Sequence, residues 1–196
     1  SGGSHTCDTE PVKNPHKHEH TTGGSSSGCG ALVAAGEVDM AIGGDQGGSV
    51  RIPGSWCGLV GLKPTYGLVP YTGAFPIELT LDHLGPMTRS VADCALLLEV
   101  VAGSDGMDPR QRNVKVDRYG KALTGDVSDL KIGVVKEGFG WEGLSEDDVD
   151  TKVREASQLF KELGARVDDV SIPLHRDGLH IWNGIAIEGA AQVMIK

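Results

Sequence analysis

Two serine clusters set in glycine hold the residue types of this chain that are best suited to chemistry. The first cluster reads GGSSSG over residues 23–28, and the second reads GGDQGGSVR over residues 43–51. Glycine beside a serine lets the backbone approach a bound group closely and turn its N–H donors toward that group. Two such clusters in one segment predict a site that holds a nucleophilic serine and binds an oxyanion.

Three other interpretations of the clusters fit the residues less well. A flexible Gly-Ser linker is disfavoured because the residues between the clusters are apolar and patterned. A phosphate-binding P-loop needs a lysine directly after its second glycine, and neither cluster has one. A nucleophile elbow, G-x-S-x-G with Ser26 at its centre, requires a preceding apolar strand, whereas residues 16–22 are polar.

The spacing and flanks of the clusters resemble those of the amidase signature family. Ser49 follows Ser25 by 24 residues (49 − 25), and the matching text continues through GALVAAGEVD, GGDQGGSVRIPGSWCGLVGLKPTYG and, more weakly, LDHLGPMTRSVADCALLLEVVAG. The resemblance covers at least residues 23–103. Members of this family hydrolyse amide bonds with a serine, a second serine in a cis peptide bond, and a lysine. Residues 71–86, together with Gln46, look most similar to bacterial-type amidases that act on aliphatic and aromatic amides.

The resemblance implies a role for each part of the two clusters. Ser49 would be the nucleophile, and Ser25 would be the bridging serine whose peptide bond is cis. Four backbone N–H groups of the second cluster would form the oxyanion hole, those of Gln46, Gly47, Gly48 and Ser49. Three supporting side chains would brace the turn or assist Ser25, namely Asp45, Arg51 and Ser26. The resemblance implies a small-molecule amide as substrate and no metal or organic cofactor.

The general base of this family is a neutral lysine, which a serine hydroxyl needs in order to act as a nucleophile. The lysine lies some tens of residues before the first cluster. Only 24 residues precede Ser25 here, and Lys13 and Lys17 do not match the family position. The sequence is therefore expected to lack this lysine, which puts the activity of the chain on its own in doubt. Ser27 and Cys29 also stand where the family often has glycine and a small residue.

Other side chains offer competing chemistry. Cys29 is a rival nucleophile, although a small buried cysteine at the start of a helix is the favoured interpretation. His16, His18 and His20 could ligate a metal, but no Cys or Asp partner lies at ligand spacing and a solvated loop is favoured. Three further histidines could suggest a Ser-His-Asp triad, yet nothing in their sequence context brings them toward Ser49: His83, His175 and His180.

Composition excludes several classes of partner. The formal net charge of −9 argues against nucleic-acid binding, which needs clustered Lys and Arg. No apolar run reaches the ~20 residues of a membrane-spanning helix, so no membrane partner is expected, and no signal peptide is visible. Four cysteines without a C-x-x-C pair favour a reduced, cytoplasmic setting. A homodimer is compatible with the sequence, which does not decide the oligomeric state.

The elements around the clusters follow from apolar patterning between glycines. Residues 29–36 predict a short helix that begins after the first cluster and places the N–H groups of that cluster at a positive helix end. Residues 38–42 predict a strand that leads into the second cluster, and residues 52–66 a buried stretch under the site. Residues 67–86 predict an ordered loop, and residues 1–22 an irregular polar one.

The rest of the chain has stronger periodicity. Ser90, followed three residues later by an aspartate, predicts a capped helix that runs to about residue 102. Residues 130–135 and 165–172 predict strands on either side of an amphipathic helix over 146–163. Such a β-α-β unit favours parallel strands. A last helix is predicted from about residue 180 to residue 196.

Together these features predict an α/β fold. The family resemblance implies the amidase signature fold, with a mixed twisted sheet flanked by helices, of which residues 1–196 form a partial domain. Residues 1–103 would be its catalytic core and residues 104–196 a β-α-β continuation. The expected activity is hydrolysis of a carboxylic amide to an acid and ammonia. Two alternatives stay open: the A subunit of a glutamyl- or aspartyl-tRNA amidotransferase, against which residues 69–86 argue mildly, and a truncated, inactive homologue.

Overall fold

The structure is a computed structural model and describes residues 10–195. It forms two compact units, of which the first comprises residues 10–123 and 185–195 and the second residues 124–184. Helices and strands both contribute, so the predicted α/β class is confirmed. That residues 1–103 and 104–196 are parts of one domain stays a prediction.

An antiparallel sheet forms the centre of the first unit. Its strands, in chain order, are β3 (Met40–Asp45), β4 (Val60–Gly61) and β5 (His83–Thr88). β5 lies in the middle and pairs with β3 along its whole length, so that Asp45 is opposite His83. A separate hairpin precedes this sheet and consists of β1 (Lys13–Asn14) and β2 (Lys17–Thr21).

Helices pack around this sheet. They are α1 (Ser27–Ala35), α2 (Arg51–Trp56) and α3 (Val91–Val101). α1 ends at Gly36, which has φ 77°, a left-handed conformation that glycine reaches without steric cost. α3 begins after Ser90, whose hydroxyl accepts a hydrogen bond from the Asp93 N–H at 3.1 Å, and this confirms the predicted cap.

The core of the first unit combines buried side chains with close backbone contacts. Val33, Val50 and Met87 are fully buried, at 0% exposure, and side chains of this kind each contribute about 1.5–3 kcal/mol when removed from water. α2 and β4 approach through glycine, since a Cβ added at Gly61 would lie 2.6 Å from the Val50 carbonyl oxygen. No larger residue fits there without moving the backbone.

The second unit contains the predicted β-α-β arrangement. Its elements are β6 (Lys131–Val135), α4 (Asp147–Glu162) and β7 (Arg166–Val170). The two strands pair in parallel, as predicted, with Ile132 opposite Val167. Within residues 10–195, this parallel pair and the antiparallel pairs belong to separate sheets rather than to one mixed sheet. The last helix, α5, spans Gly178–Met194 and begins in this unit.

Several described elements differ from the prediction. The polar stretch before the first cluster forms the β1–β2 hairpin, which long-range contacts stabilise: Asn14 Nδ2 donates to the Trp56 carbonyl oxygen at 2.8 Å. The first nine residues of that predicted loop lie outside the described residues. α2 forms although Pro53 and Gly54 are poor helix formers, and β5 forms although it contains Pro86. Tertiary contacts override local propensity in each case.

Candidate active site

The fold brings the two serine clusters side by side. The Ser26 N–H donates to the Ser49 carbonyl oxygen at 3.2 Å, and the Ser26 hydroxyl donates to the Gly44 carbonyl oxygen at 3.2 Å. A Cβ added at Gly43 would lie 2.5 Å from Ser26 Oγ, so this approach needs glycine. Ser25 is exposed and Ser49 is half-buried. Solvent therefore reaches the two serines predicted to do the chemistry, while the backbone between the clusters is fixed.

The first cluster is a tight turn that leads into α1. The peptide bond between Gly24 and Ser25 is cis, as the family resemblance implies. Gly23 has φ 75°, and the Ser27 hydroxyl, which is buried, donates to its carbonyl oxygen at 2.8 Å. A Cβ at Gly23 would lie 2.7 Å from Ile52 Cγ2. The turn that carries Ser25 is therefore packed directly against α2.

The carboxylate of Asp45 organises the turn between β3 and α2. Its Oδ1 accepts the Gly48 N–H at 2.8 Å, and its Oδ2 accepts the N–H groups of Val50 at 3.2 Å and Arg51 at 3.4 Å. The Arg51 guanidinium adds two bonds, from Nε to Oδ2 at 3.0 Å and from its terminal nitrogen to Oδ1 at 2.9 Å. The two side chains thus have the geometry expected of residues that brace the turn.

The environment of Asp45 favours its ionised form. Its side chain is 0% exposed, whereas that of Arg51 is 51% exposed. Burial acts to raise the pKa of the Asp45 carboxyl, but the hydrogen bonds from Arg51 and Gly48 outweigh it and hold that pKa below its ordinary value of 3.8. A buried anion that accepts several hydrogen bonds is a rigid support for a turn, because moving any donor leaves charge unsatisfied.

The Asp45 contact bears on the expected oxyanion hole. The Gly48 N–H donates to Asp45 Oδ1 at 2.8 Å, so Asp45 competes with an oxyanion for this donor. The N–H groups of Gly47 and Ser49 have no acceptor within the part of the chain that the structure describes. Gly47 is also exposed to solvent. Oxyanion binding by the N–H groups of Gln46, Gly47, Gly48 and Ser49 stays a prediction.

The side chain of Gln46 connects the turn to a buried carboxylate that sequence reasoning missed. Gln46 Nε2 donates to Asp82 Oδ1 at 3.3 Å, and Asp82 is only 2% exposed. Asp82 lies immediately before β5, at the end of the long segment predicted as an ordered loop. Asp82 stands between Leu81 and His83, and no pattern in the local sequence indicates its contact with Gln46.

The rival candidates have ordinary structural partners. Cys29 is half-buried rather than buried as predicted. Burial raises the pKa of its thiol, which lies 3.6 Å from the Ile42 carbonyl oxygen, and a raised pKa makes a thiol a poorer nucleophile. His16 Nε2 lies 2.9 Å from the Cys57 carbonyl oxygen. Among residues 10–195, no group of three or more His, Cys, Asp or Glu side chains is placed to hold a metal ion.

Lys63 and His83 form a polar pair beside the antiparallel sheet. Lys63 Nζ lies 3.1 Å from His83 Nε2 and donates to the Pro64 carbonyl oxygen at 2.8 Å. His83 Nδ1 lies 2.7 Å from the Leu81 carbonyl oxygen, so the hydrogen-bond network assigns the proton to Nδ1 and leaves Nε2 to accept from Lys63. Burial lowers the pKa of Lys63 and of His83. Both ring nitrogens of His83 are therefore engaged away from a serine triad.

Among the residues that the structure describes, no helix combines the length and the apolar character that crossing a membrane requires.

Comparison with known proteins agrees with the geometry of the clusters. The amidase family model matches residues 2–196. An enantioselective amidase of Rhodococcus rhodochrous is 50% identical over 199 residues, which cover 100% of this chain and 38% of the relative. The A subunit of glutamyl-tRNA(Gln) amidotransferase from Exiguobacterium sibiricum is 51% identical over 187 residues, which cover 95% of this chain and 38% of the relative.

A solved structure of a relative has the same fold over nearly all of this chain. The crystal structure of the A subunit of glutamyl-tRNA(Gln) amidotransferase from Thermotoga maritima matches with a TM-score of 0.91 at 40% identity, over 97% of this chain and 42% of the other. The chain thus spans 38% of the length of the two curated relatives named above. By its sequence, its fold and its paired serine clusters, the chain belongs to the amidase signature family.

Proposed function

We propose that this chain carries the nucleophile and oxyanion turn of an enzyme that hydrolyses a carboxylic amide to an acid and ammonia. The observation that supports this most is the contact between the two clusters, where the Ser26 N–H meets the Ser49 carbonyl oxygen. It holds the Ser25 turn next to a second turn that Asp45 fixes from inside. Packing alone does not require two glycine-flanked serine turns to meet.

In the proposed reaction, Ser49 Oγ attacks the amide carbonyl and its proton passes through Ser25 to a general base. The N–H groups of Gln46, Gly47 and Ser49 bind the oxyanion, and losing one such donor typically costs about 3 kcal/mol of barrier. The C–N bond then breaks as the nitrogen takes up the relayed proton, and ammonia leaves. Water attacks the acyl-enzyme and releases the acid. The base is proposed to be the family lysine, which is not assigned to a residue of this chain.

The test compares the complete gene product with its Ser49→Ala and Ser25→Ala variants. Ammonia release is followed with benzamide, propionamide and glutamine. We expect release by the wild type and a loss in kcat of at least about a thousandfold for Ser49→Ala, because a missing nucleophile is not replaced by its neighbours. Equal rates for wild type and Ser49→Ala would overturn the assignment of the nucleophile.

A second function has specific support. The identity of 51% to the A subunit of one amidotransferase and the TM-score of 0.91 with that of another favour a protein that releases ammonia from glutamine for a partner. Strong release from glutamine, dependent on co-purified partner chains, would favour this function over the hydrolysis of simple amides. No release from any amide would favour the inactive homologue.

The setting of the protein is also part of the proposal. A cytoplasmic location is supported by the free thiols of Cys29, Cys57 and Cys94. The expected ligand is a small-molecule amide and not a nucleic acid, given the net charge of −9. A homodimer is proposed as the assembly to test, and sedimentation analysis of the complete gene product decides it.

A further inference from the structure

We propose that Asp82 is a positioning residue for the oxyanion turn, acting through the side chain of Gln46. The inference rests on the proposed amide hydrolysis, since it assigns a role within that same site. Asp82 does not touch the reacting atoms in this proposal. It fixes one end of the turn, and Asp45 fixes the other.

The two carboxylate oxygens of Asp82 have separate partners. Oδ2 accepts the N–H groups of Ile77 at 2.8 Å and Glu78 at 3.0 Å, which closes the loop before β5. Oδ1 accepts from Gln46 Nε2 at 3.3 Å. A carboxylate that is 2% exposed is costly to bury unless it is fully hydrogen-bonded. The Gln46 side chain is therefore one of the groups that satisfy this buried charge.

The loop that carries Asp82 is itself anchored by a buried ion pair. The side chains of Asp108 and Arg110 are 3% and 8% exposed and meet at 2.7 Å. The Arg110 guanidinium donates to the Asp82 carbonyl oxygen at 2.9 Å, and Asp108 Oδ2 accepts the Tyr71 N–H at 2.8 Å. Both ends of the segment 71–82 are thus held, so Asp82 offers Gln46 a fixed partner rather than a mobile one.

The position of Gln46 explains how its contact with Asp82 acts on the oxyanion turn. It is the first residue after β3, and its carbonyl group belongs to the same peptide unit as the Gly47 N–H. Asp45 holds the turn at Gly48, but nothing in that contact fixes the Gln46–Gly47 peptide. Restraining the Gln46 side chain restricts rotation of this peptide and keeps the Gly47 N–H directed at the oxyanion. Displacing a catalytic group by about 1 Å costs about a hundredfold in rate.

The separate roles of the two oxygens allow a selective experiment. In Asp82→Asn, the amide oxygen can take the place of Oδ2 and keep both loop hydrogen bonds, while the amide nitrogen faces Gln46. In Gln46→Glu, a carboxylate faces the buried Asp82 carboxylate. In the double variant, the amide introduced at position 82 donates to the carboxylate introduced at position 46, and the link is restored with reversed polarity. Asp39→Asn is the matched control, because Asp39 is 88% exposed and pairs with Arg89.

The measured quantities are kcat and KM for ammonia release by the complete gene product and these variants. We expect Gln46→Glu to lose about a hundredfold in kcat with little change in KM, and Asp82→Asn to lose about fivefold. The double variant should return to within about tenfold of the wild type, and Asp39→Asn should equal the wild type. Additive losses in the double variant, or losses in KM alone, would overturn the positioning role.

Hydrogen–deuterium exchange separates failure of this role from failure of the proposed function. The amides of residues 46–49 should exchange faster in Gln46→Glu than in the wild type and recover protection in the double variant. If the wild type releases no ammonia, amide hydrolysis fails and with it the catalytic purpose given to Asp82. If the wild type is active but exchange and kcat show no recovery in the double variant, only the positioning role is wrong.

Discussion

The two units of this chain are stabilised by different kinds of contact. In the first unit, backbone segments approach through glycine, and the buried carboxylates of Asp45, Asp82 and Asp108 accept hydrogen bonds from backbone N–H groups. In the second unit, apolar side chains recur along α4 at helical spacing, yet Val149 and Val153 stay 54% and 50% exposed. The proposed site thus lies in the unit whose structure depends on backbone geometry.

This difference has a chemical reason. An oxyanion is best stabilised by donors that are fixed before the reaction, since reorganising them adds to the barrier. Glycine turns leave their N–H groups open to a ligand. However, the backbone of such turns is intrinsically flexible. Buried carboxylates compensate by holding neighbouring N–H groups, as Asp45 does for Gly48 and Val50. The first unit should therefore be sensitive to small changes and the second tolerant of larger ones.

The largest loss of stability is expected from Asp45→Ala. The substitution leaves the buried N–H groups of Gly48 and Val50 without their acceptor, and each such loss costs about 1–3 kcal/mol. The free energy of unfolding should fall by about 3 kcal/mol, and kcat should fall by at least about a hundredfold because the turn loses its support. Urea unfolding and ammonia release measure the two effects.

Arg51→Ala is the matched control for that variant. It removes the other member of the ion pair, but the Arg51 side chain is 51% exposed and Asp45 keeps its backbone donors. The expected loss is about 1 kcal/mol. If Arg51→Ala destabilises as much as Asp45→Ala, the ion pair and not the backbone hydrogen bonds stabilises the turn.

A smaller but still clear effect is expected from Gly61→Ala. The new Cβ would lie 2.6 Å from the Val50 carbonyl oxygen, a backbone atom that cannot rotate away. Forced overpacking of this kind costs about 1–3 kcal/mol. Thermal unfolding followed by circular dichroism measures this loss of stability.

Gly28→Ala controls for the chemical change itself. Gly28 lies in α1, and a Cβ added there meets nothing within 4 Å. Alanine is the better helix former by about 1 kcal/mol, so this variant should be slightly more stable than the wild type. Equal destabilisation by the two alanines would show that the backbone approach at Gly61 is not the cause.

Acid should weaken the first unit through Asp108. Hydrogen bonds from Arg110 hold the pKa of the Asp108 carboxyl well below its ordinary value of 3.8. Because the folded pKa lies below the unfolded one, the stabilisation is complete above about pH 4 and is lost as the pH falls from there toward the folded value. Between pH 7 and pH 3, the wild type should lose about 1 kcal/mol more than Asp108→Asn in urea unfolding. If the wild type and Asp108→Asn lose the same stability between pH 7 and pH 3, the Asp108–Arg110 pair is not the source of the acid sensitivity.

Local signals made part of the fold and site predictable. Ser90 identified the start of α3, and the spacing of Ser25 and Ser49 with their glycines identified the clusters that the fold places together. The β-α-β pattern predicted β6 and β7 as parallel strands. In each case the signal is a pattern of residue types within one segment or one supersecondary unit. The catalytic roles of the serines stay predictions.

The missed features depend on contacts between distant segments. β5 contains Pro86, yet the Pro86 carbonyl oxygen accepts the Leu62 N–H at 3.0 Å and the strand forms. Asp82 is 36 residues from Gln46 in sequence, and no local pattern joins them. The use of the Gly48 N–H by Asp45 depends on the detailed path of one turn. Residue types alone do not encode these contacts.

The smallest effect is expected from Val153→Ala in α4, compared with Val33→Ala in α1. The two substitutions are chemically identical and both lie in helices, but Val33 is 0% exposed and Val153 is 50% exposed. Val33→Ala should cost about 1.5–3 kcal/mol, the value of burying such a side chain. For Val153→Ala, the lost apolar contact and the better helix propensity of alanine nearly cancel, so stability should change by less than about 0.5 kcal/mol. Hydrogen exchange of the peptides that cover α1 and α4 measures the change in local stability that each substitution causes. A cost at Val153 equal to that at Val33 would mean that the apolar face of α4 is covered in solution, and the contrast between the units would then lie in their carboxylates and glycines alone.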